Sequence, residues 1–408
     1  MTERRRPPLS PPAAAIVRAQ LGTGRSISRR SLLGGAGAVG LGAFLAACGT
    51  SGSSTSGAVG PSAAKDTSKT DKVVDWANWP LYLDFDSKTK THPTLENFQK
   101  INGIKATYDE AINDNEEYFA KIQGQLKNGQ DIGKDIVVFT DWMAERMIKL
   151  GYTQKLDKTV IPNAKNLLPN LQQVSFDPGR NYSLTWQSGF TGLAWNKKAF
   201  PKGLKTVSDL WQPELKGKVE VLSEMRDTMG LLMMDAGVDI TGNWTADDFG
   251  NAIDVFSKQL SSGQIRQVKN NSYTQDLESG DAVAVIGWSG DIIGLDQEKF
   301  EFILPEKGGL LWSDNLLIPS TSPHKENAEI LMNYYYDPAV AATVAAYVNY
   351  VCPVEGANTA MEKVDPTLVD NDLIFPSKEF LTRAHDFRTL TAAEQTQFSS
   401  QFEAALGR

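Results

Sequence analysis

The chain has 408 residues and a formal net charge of −8. Residues 1–47 carry seven arginines and one glutamate, a net +6 within that total, which leaves −14 for the rest. This acidic balance disfavours nucleic acid and anionic lipid surfaces as partners and is compatible with a cationic ligand. The two cysteines and three widely separated histidines offer no disulfide framework and no metal-ligand spacing, so we expect no metal and no cofactor.

The first element of the chain is predicted to be an export signal. Arg29-Arg30 precedes an apolar, glycine-rich run at 32–44, and Leu45-Ala46-Ala47-Cys48 follows as a small-residue cleavage site that ends in cysteine. The run is too short to span about 30 Å of hydrocarbon, and residues 28–33 resemble the twin-arginine export signal. We expect removal of residues 1–47, lipid on Cys48, and a position on the outer face of the cytoplasmic membrane, periplasmic or extracellular. A basic tail before a buried helix is the alternative.

Residues 48–72 are predicted to be a flexible tether between the lipid and the folded domain. They consist mainly of Ser, Gly, Thr and Ala, with almost no large apolar side chain to offset the entropy lost on ordering. The remaining chain, about 335 residues, exceeds the size at which a single core keeps growing. We therefore expect two lobes.

Strand-like and helix-like stretches alternate after the tether. The first three strands are predicted at 73–76, 104–108 and 135–139, and the helices that follow them at 93–102, 115–128 and 141–150. The alternation returns with strands at 218–222 and 282–286 and helices at 225–236 and 291–297. This pattern predicts an α/β fold with a mainly parallel sheet covered by helices, and a second α/β lobe.

Aromatic residues and acids cluster where these strands end, which is where ligands bind in such sheets. The segments are Asn78-Trp79-Pro80-Leu81-Tyr82, Thr140-Asp141-Trp142, Ser223-Glu224-Met225-Arg226, Gly287-Trp288-Ser289-Gly290-Asp291 and Leu310-Leu311-Trp312-Ser313-Asp314. Aromatic faces attract an alkyl-ammonium group and carboxylates accept its hydrogen bonds, so the set predicts a slot for a slender polycation. Taken singly, each tryptophan is also compatible with core packing, and Glu224 with Arg226 is compatible with a salt bridge at a helix start.

Further motifs carry a resemblance to a known family. They are Asp135-Ile136-Val137-Val138 with residues 147–151, Phe176-Asp177-Pro178 before Tyr182-Ser183, Asp209-Leu210-Trp211 with residues 213–218, Pro305-Glu306-Lys307-Gly308-Gly309, and Trp312-Ser313-Asp314-Asn315-Leu316. Together with Asn78-Trp79, they resemble the spermidine/putrescine-binding family of bacterial ABC-transporter solute-binding proteins. The resemblance covers nearly all of residues 73–408.

The resemblance implies a two-lobed, periplasmic-binding-protein-like fold of type II with a ligand cleft between the lobes. The chain would cross between a first lobe at 73–187 with 312–355 and a second lobe at 188–311 with 356–408. Such a clamp closes on a polyamine and presents it to a membrane permease without covalent chemistry. A monomer suits this role, because one clamp delivers one ligand at a time.

The resemblance also implies which side chains touch the ligand. Aromatics that line the slot would be Trp79, Tyr82, Trp288 and Trp312; acids that bind amino groups would be Glu224 and Asp314; and Thr140 and Trp142 would also touch ligand. The departure is Pro80-Leu81, where the family's polyamine binders have a polar residue and then a glutamate. We expect that end of the slot to lack its carboxylate unless Asp84, Asp86, Asp114 or Glu116 replaces it. A slot that lacks this carboxylate is compatible with a shorter diamine or with a ligand that has one cationic end.

Three alternatives remain open from the sequence. The same clamp fold is compatible with an amino-acid or sugar ligand. A secreted glycan hydrolase would use Glu224 and Asp314 as its pair of acids, although Gly287-Trp288-Ser289-Gly290 lacks the spacing of a nucleophile elbow. An adhesion or scaffold role would need repeats or exposed interaction surfaces, and the sequence shows neither.

Overall fold

A computed structural model of the protein describes residues 60–407. The predicted signal peptide and the predicted lipid site, Cys48, lie outside the described residues. Among residues 60–407, no helix has both the length and the apolar character needed to cross a membrane.

The described residues form strands and helices in alternation. The strands are β1 (Val73–Asn78), β2 (Lys105–Glu110), β3 (Ile136–Thr140), β4 (Gln173–Val174), β5 (Asp177–Pro178), β6 (Ser183–Asn196), β7 (Val219–Leu222), β8 (Ile265–Lys269), β9 (Ala284–Trp288), β10 (Phe300–Ile303), β11 (Gly309–Leu317) and β12 (Ala384–Asp386). The helices are α1 (Pro93–Asn102), α2 (Asn115–Lys127), α3 (Asp141–Lys149), α4 (Pro169–Gln172), α5 (Met225–Asp235), α6 (Ala246–Ser261), α7 (Tyr273–Ser279), α8 (Ser289–Ile293), α9 (Lys325–Tyr335), α10 (Pro338–Val348), α11 (Ala357–Val364), α12 (Lys378–Leu381) and α13 (Ala392–Ala405).

Local sequence signals account for most of these elements. Helix α1 begins with Pro93 in its first turn and ends at Gly103, whose φ of 64° is the left-handed conformation that glycine adopts without strain. Helix α2 begins after Asp114, whose carboxylate accepts a hydrogen bond from the Glu117 N–H. The helix predicted at 291–297 instead starts directly after β9, at Ser289.

Ten strands form one sheet in the order β2-β1-β3-β11-β6-β9-β7-β8, with β10 beside β6 and β12 beside β11. Strand β1 lies parallel to β2 and β3, and β7 lies parallel to β8 and β9. We call these two parallel sections, with the helices that follow their strands, the first lobe and the second lobe. The prediction of parallel pairing therefore holds within each lobe.

The strands β6 and β11 join the two lobes and run antiparallel to each other. Residues 314–317 of β11 pair with β3, whereas residues 191–195 of β6 pair with β9. The sheet as a whole is thus mixed rather than mainly parallel, because a chain that crosses to the other lobe and returns must run in opposite directions. Further along, α11 packs on α10, and α13 packs on α6 of the second lobe.

Residues 64–71, part of the predicted tether, lie against the loop that precedes α9. The Ala64 N–H donates to the Ser320 carbonyl at 2.8 Å, and the side chain of Ser68 is fully buried. Asp66 and Ser68 accept hydrogen bonds from the Glu326 and Asn327 N–H groups, both at 3.2 Å. We call residues 64–71 the strap. They differ from the predicted flexible tether because they supply hydrogen-bond acceptors to N–H groups at the start of α9, which a helix start leaves without partners.

Candidate ligand-binding site

A cleft lies where the strands of the two lobes face each other, and it holds about 1030 Å³ of empty space, its open mouth included. The eight side chains predicted to touch ligand all line this cleft: Trp79, Tyr82, Thr140, Trp142, Glu224, Trp288, Trp312 and Asp314. The structure thus brings together residues that are up to 235 positions apart in the sequence. That they bind a ligand remains a prediction.

The elements explain why these side chains meet. Trp79 and Glu224 lie just after β1 and β7, and Thr140 and Trp288 are the last residues of β3 and β9. Parallel strands present these ends at one edge of a sheet, so the ends from both lobes face the same cleft. Asp314 instead lies within β11, at a register shift between β11 and β6 that falls between residues 314 and 315.

Asp314 is a buried acid held by neutral donors. The Tyr82 hydroxyl donates to its Oδ2 at 2.8 Å, and the Thr140 hydroxyl donates to its Oδ1 at 2.7 Å. The carboxyl is 4% exposed, and burial raises its pKa to about 7 despite these two hydrogen bonds.

Asp227, in the first turn of α5, is a second cleft acid and was not among the residues predicted from the strand ends. It accepts hydrogen bonds from the Thr191 hydroxyl at 2.6 Å and from the Trp288 indole N–H at 3.0 Å. Burial raises its pKa to about 6. The spacing in the sequence could have predicted it, because Asp227 is three residues after Glu224 and residues three apart on a helix share a face.

Glu224 precedes α5 and is partly buried in the cleft wall. Asn115 of the first lobe donates its side-chain N–H to Glu224 Oε2 at 3.4 Å. Burial, together with the nearby acids Asp114 and Asp227, raises the pKa of Glu224 to about 8. Neither Glu224, Asp227 nor Asp314 forms an ion pair with any lysine or arginine of residues 60–407.

Aromatic rings cover the same region. The rings of Trp288 and Trp312 meet edge to face at 6.5 Å, and Tyr350 packs against Trp312 at 5.4 Å and against Tyr82 at 5.3 Å. Tyr350 was also missed, because it follows α10, far from any strand end. It reaches the cleft because its neighbour Val351 pairs with Ser188 in β6.

The Pro80-Leu81 segment contributes no carboxylate to the cleft. Pro80 lines the cleft, but Leu81 does not; its side chain is 41% exposed and its N–H donates to Glu110 at 2.8 Å. Asp114 is the only one of the four proposed substitutes that lines the cleft in the described residues. The other three are Asp84, Asp86 and Glu116.

Arg226 brings a positive charge to the cleft wall. It is 8% exposed, and its guanidinium carbon lies 4.2 Å from the centre of the Trp142 ring. Its Nη2 donates to Gln395 Oε1 at 2.5 Å. A salt bridge to Glu224, the alternative left open by the sequence, is not formed.

Comparisons with known proteins agree with this architecture. A family model described as bacterial extracellular solute-binding protein matches residues 94–371. The spermidine/putrescine-binding periplasmic protein of Escherichia coli (strain K12) is 30% identical over 289 residues, which cover 70% of this chain and 80% of that protein. The spermidine/putrescine-binding periplasmic protein 1 of Haemophilus influenzae is 26% identical over 328 residues, which cover 78% of this chain and 86% of that protein.

A solved structure shows the same fold. The spermidine/putrescine ABC transporter substrate-binding protein of Streptococcus pneumoniae superposes with a TM-score of 0.68 at 21% identity, over 83% of this chain and 99% of that one. The fold is therefore the two-lobed fold of periplasmic substrate-binding proteins. The chain belongs to the bacterial extracellular solute-binding protein family.

Proposed function

We propose that this protein is the extracytoplasmic solute-binding component of an ABC importer and that it binds a polyamine, putrescine or spermidine, in the cleft. The observation that carries the proposal is the set of three acids, Asp227, Asp314 and Glu224, that line an aromatic cleft and form no ion pair with a lysine or arginine of residues 60–407. An unpaired buried carboxylate costs several kcal/mol, and a bound ammonium group would remove that cost. The printed names of the relatives, spermidine/putrescine-binding proteins, support the same ligand class.

In this proposal, binding rather than catalysis is the whole activity. Ammonium groups would hydrogen-bond to Asp314, Glu224 and Asp227, while the ring faces would cover the methylene groups between them. Thr140 and Trp142 complete the predicted contact set. Ligand bound to both lobes shifts the population towards the closed form, which is then presented to the permease.

The same proposal includes the predicted cellular context. Residues 1–47 would be removed as a signal peptide, and lipid on Cys48 would hold the protein, as a monomer, at the outer face of the cytoplasmic membrane. The lobe bounds at 187, 311 and 355 also belong to the proposal. The family's extracellular character supports export of the chain.

A second candidate function follows from Arg226. A ligand with one ammonium group and one carboxylate, such as an amino acid, would pair its ammonium with Asp314 and its carboxylate with the guanidinium. This alternative is favoured by the absence of a carboxylate partner for Arg226 within 4 Å among the described residues. The cleft would then be bipolar rather than uniformly acidic.

Isothermal titration calorimetry distinguishes the candidates. The chain from residue 49 onward would be titrated with putrescine, spermidine, spermine, arginine and a disaccharide. Micromolar or tighter binding of a polyamine is the expected result. Heat from arginine alone would favour the bipolar ligand, and heat from the disaccharide alone would overturn the polyamine assignment.

A further inference from the structure

Arg226 and Trp142 belong to opposite walls of the cleft. Arg226 is the second residue of α5, in the second lobe, and Trp142 is the second residue of α3, in the first lobe. The guanidinium lies over the indole with 4.2 Å between the Arg226 Cζ and the ring centre. The stack therefore joins the two lobes across the cleft.

Contacts within the second lobe hold the guanidinium in place. Gln395 of α13 accepts its hydrogen bond at 2.5 Å, and the ring of Phe387 lies 5.9 Å from the Arg226 Cζ. Separation of the lobes would leave both contacts intact and would break only the contact to Trp142.

The Trp142 ring is covered by the Arg226 guanidinium and is not anchored by a hydrogen bond from its indole N–H. Its buried indole Nε1 has no hydrogen-bond partner among the described residues. By contrast, the Trp288 indole N–H is held by Asp227 and the Trp312 indole N–H by Thr191. A tryptophan without a polar anchor is held by what covers its faces, and Arg226 covers one face of Trp142.

Two hydrogen bonds flank the stack and also cross the cleft. Asn115 of the first lobe donates to Glu224 at 3.4 Å, and Asn270, just after β8, donates to the Asn113 carbonyl at 3.1 Å. Burial lowers the pKa of Arg226 to about 10, and the charges of Glu224 and Asp227 in its own lobe and of Glu116 and Glu145 in the first lobe oppose that shift. Closure of the lobes thus moves the buried Arg226 guanidinium towards the carboxylates of the first lobe.

We propose that Arg226 and Trp142 form a closing latch, a contact between the lobes that stabilises the closed form of the clamp whichever ligand is bound. The inference rests on the proposed binding function and reassigns Trp142 from ligand contact to lobe contact. A latch changes the equilibrium between open and closed forms, so it changes the affinity for every ligand by the same factor. A ligand contact would instead change the affinity for some ligands more than for others.

Affinity measurements test the latch in a double-mutant cycle of Arg226→Gln and Trp142→Leu. Each single variant is expected to weaken putrescine, spermidine and spermine by one common factor, roughly fivefold to tenfold, in the range typical of coupled equilibria. The double variant should be no weaker than the weaker single variant, because both changes remove one contact. Unequal factors among the ligands, or additive losses, would overturn the latch.

Lobe separation gives a readout that needs no ligand. Spin labels on Ile101→Cys and Val255→Cys, exposed positions on α1 of the first lobe and α6 of the second, report the distance between the lobes. We expect Arg226→Gln to shift the ligand-free distance distribution towards longer distances and Arg226→Lys to restore part of the closed population. An unchanged distribution in Arg226→Gln would overturn the proposal.

Arg388→Gln is the matched control, since it removes the other arginine of the cleft wall. Arg388 pairs with Glu394 at 2.6 Å and stacks on Trp244 at 4.0 Å, so its contacts stay within the second lobe. We expect no change in the label distance for this variant. If no polyamine binds to the wild type while Arg226→Gln still opens the lobes, the proposed ligand is wrong and the latch is supported. If polyamines bind to Arg226→Gln with the affinity of the wild type and the label distance is also unchanged, the latch alone is wrong.

Discussion

Tyr82 donates its hydroxyl hydrogen to Asp314 across 2.8 Å, although 232 positions of sequence separate the two residues. The contact joins the loop after β1 to the middle of β11. Because the Tyr82 ring also packs against Tyr350 at 5.3 Å, one side chain positions both an acid and part of the aromatic wall of the cleft. A cation that enters would meet carboxylate and ring face together.

The cleft acids should carry much of the binding free energy. Asp314→Asn and Glu224→Gln are each expected to weaken polyamine binding by about 2 kcal/mol, near thirtyfold, because a charged hydrogen bond in a desolvated slot is lost. Calorimetry on each variant checks this. The control is Asp254→Asn, which makes the same charge change on the exposed face of α6 and should bind like the wild type. Unchanged affinity in both Asp314→Asn and Glu224→Gln would show that these acids do not bind the ligand.

Binding should weaken in acid. In the ligand-free protein the pKa is about 6 for Asp227, about 7 for Asp314 and about 8 for Glu224. A cation favours the ionised carboxylates, so the affinity should fall as pH drops from 8 to 5.5, and binding at pH 7 should release protons. Calorimetry in buffers of different ionisation enthalpy measures that release. Asp314→Asn should release fewer protons, and an affinity independent of pH would contradict the assignment.

Gly189 should be required for the position of Trp312. A Cβ atom at residue 189 would lie 2.5 Å from the Trp312 ring and 2.9 Å from the Tyr350 ring. Gly189→Ala is therefore expected to displace the indole and to weaken ligand binding at least tenfold, about 1.4 kcal/mol. Gly124→Ala in α2 is the control, since nothing lies within 4 Å of its Cβ position, and a helical alanine should stabilise the fold by about 0.5–1 kcal/mol.

The strap at residues 64–71 should stabilise the fold. Asp66→Ala and Ser68→Ala should each lower the free energy of unfolding by about 1 kcal/mol, because the first turn of α9 loses a hydrogen-bond acceptor. Thermal unfolding checks this, with the exposed neighbour Lys65→Ala as the control. A chain that starts at Val73 should melt at a lower temperature than one that starts at residue 49; equal melting temperatures would show that the strap contributes nothing.

His324 ties the strap to the body, and its contribution should depend on pH. Its Nε2 lies 3.1 Å from Asp71 and its Nδ1 lies 3.0 Å from Asp135. Burial lowers the pKa of His324, but hydrogen bonds and charge from Asp135 and Asp71 outweigh burial and raise it above 6.5. The stabilisation is thus present below the unfolded pKa and is lost as pH rises through the folded pKa. His324→Gln should remove this pH dependence from thermal unfolding.

Local residues predicted much of the fold because helix starts and ends depend on a few neighbours. Pro93 and Gly103 bound α1 at the residues expected, and alternation of strands and helices was enough to predict two α/β lobes. The aromatics and acids at strand ends were found for the same reason, since parallel strands place those ends at one edge of the sheet.

Tertiary structure alone decided what depends on distant pairing. The antiparallel crossing of β6 and β11, the arrival of Tyr350 through the Ser188 and Val351 pair, and the docking of residues 64–71 each join segments more than 100 positions apart. Their energies come from hydrogen bonds and packing between surfaces that exist only after both lobes have formed, so no local pattern encodes them. The chemistry of the cleft was therefore readable from residue types, whereas the contacts that cross it, Arg226 on Trp142 among them, were set by the fold.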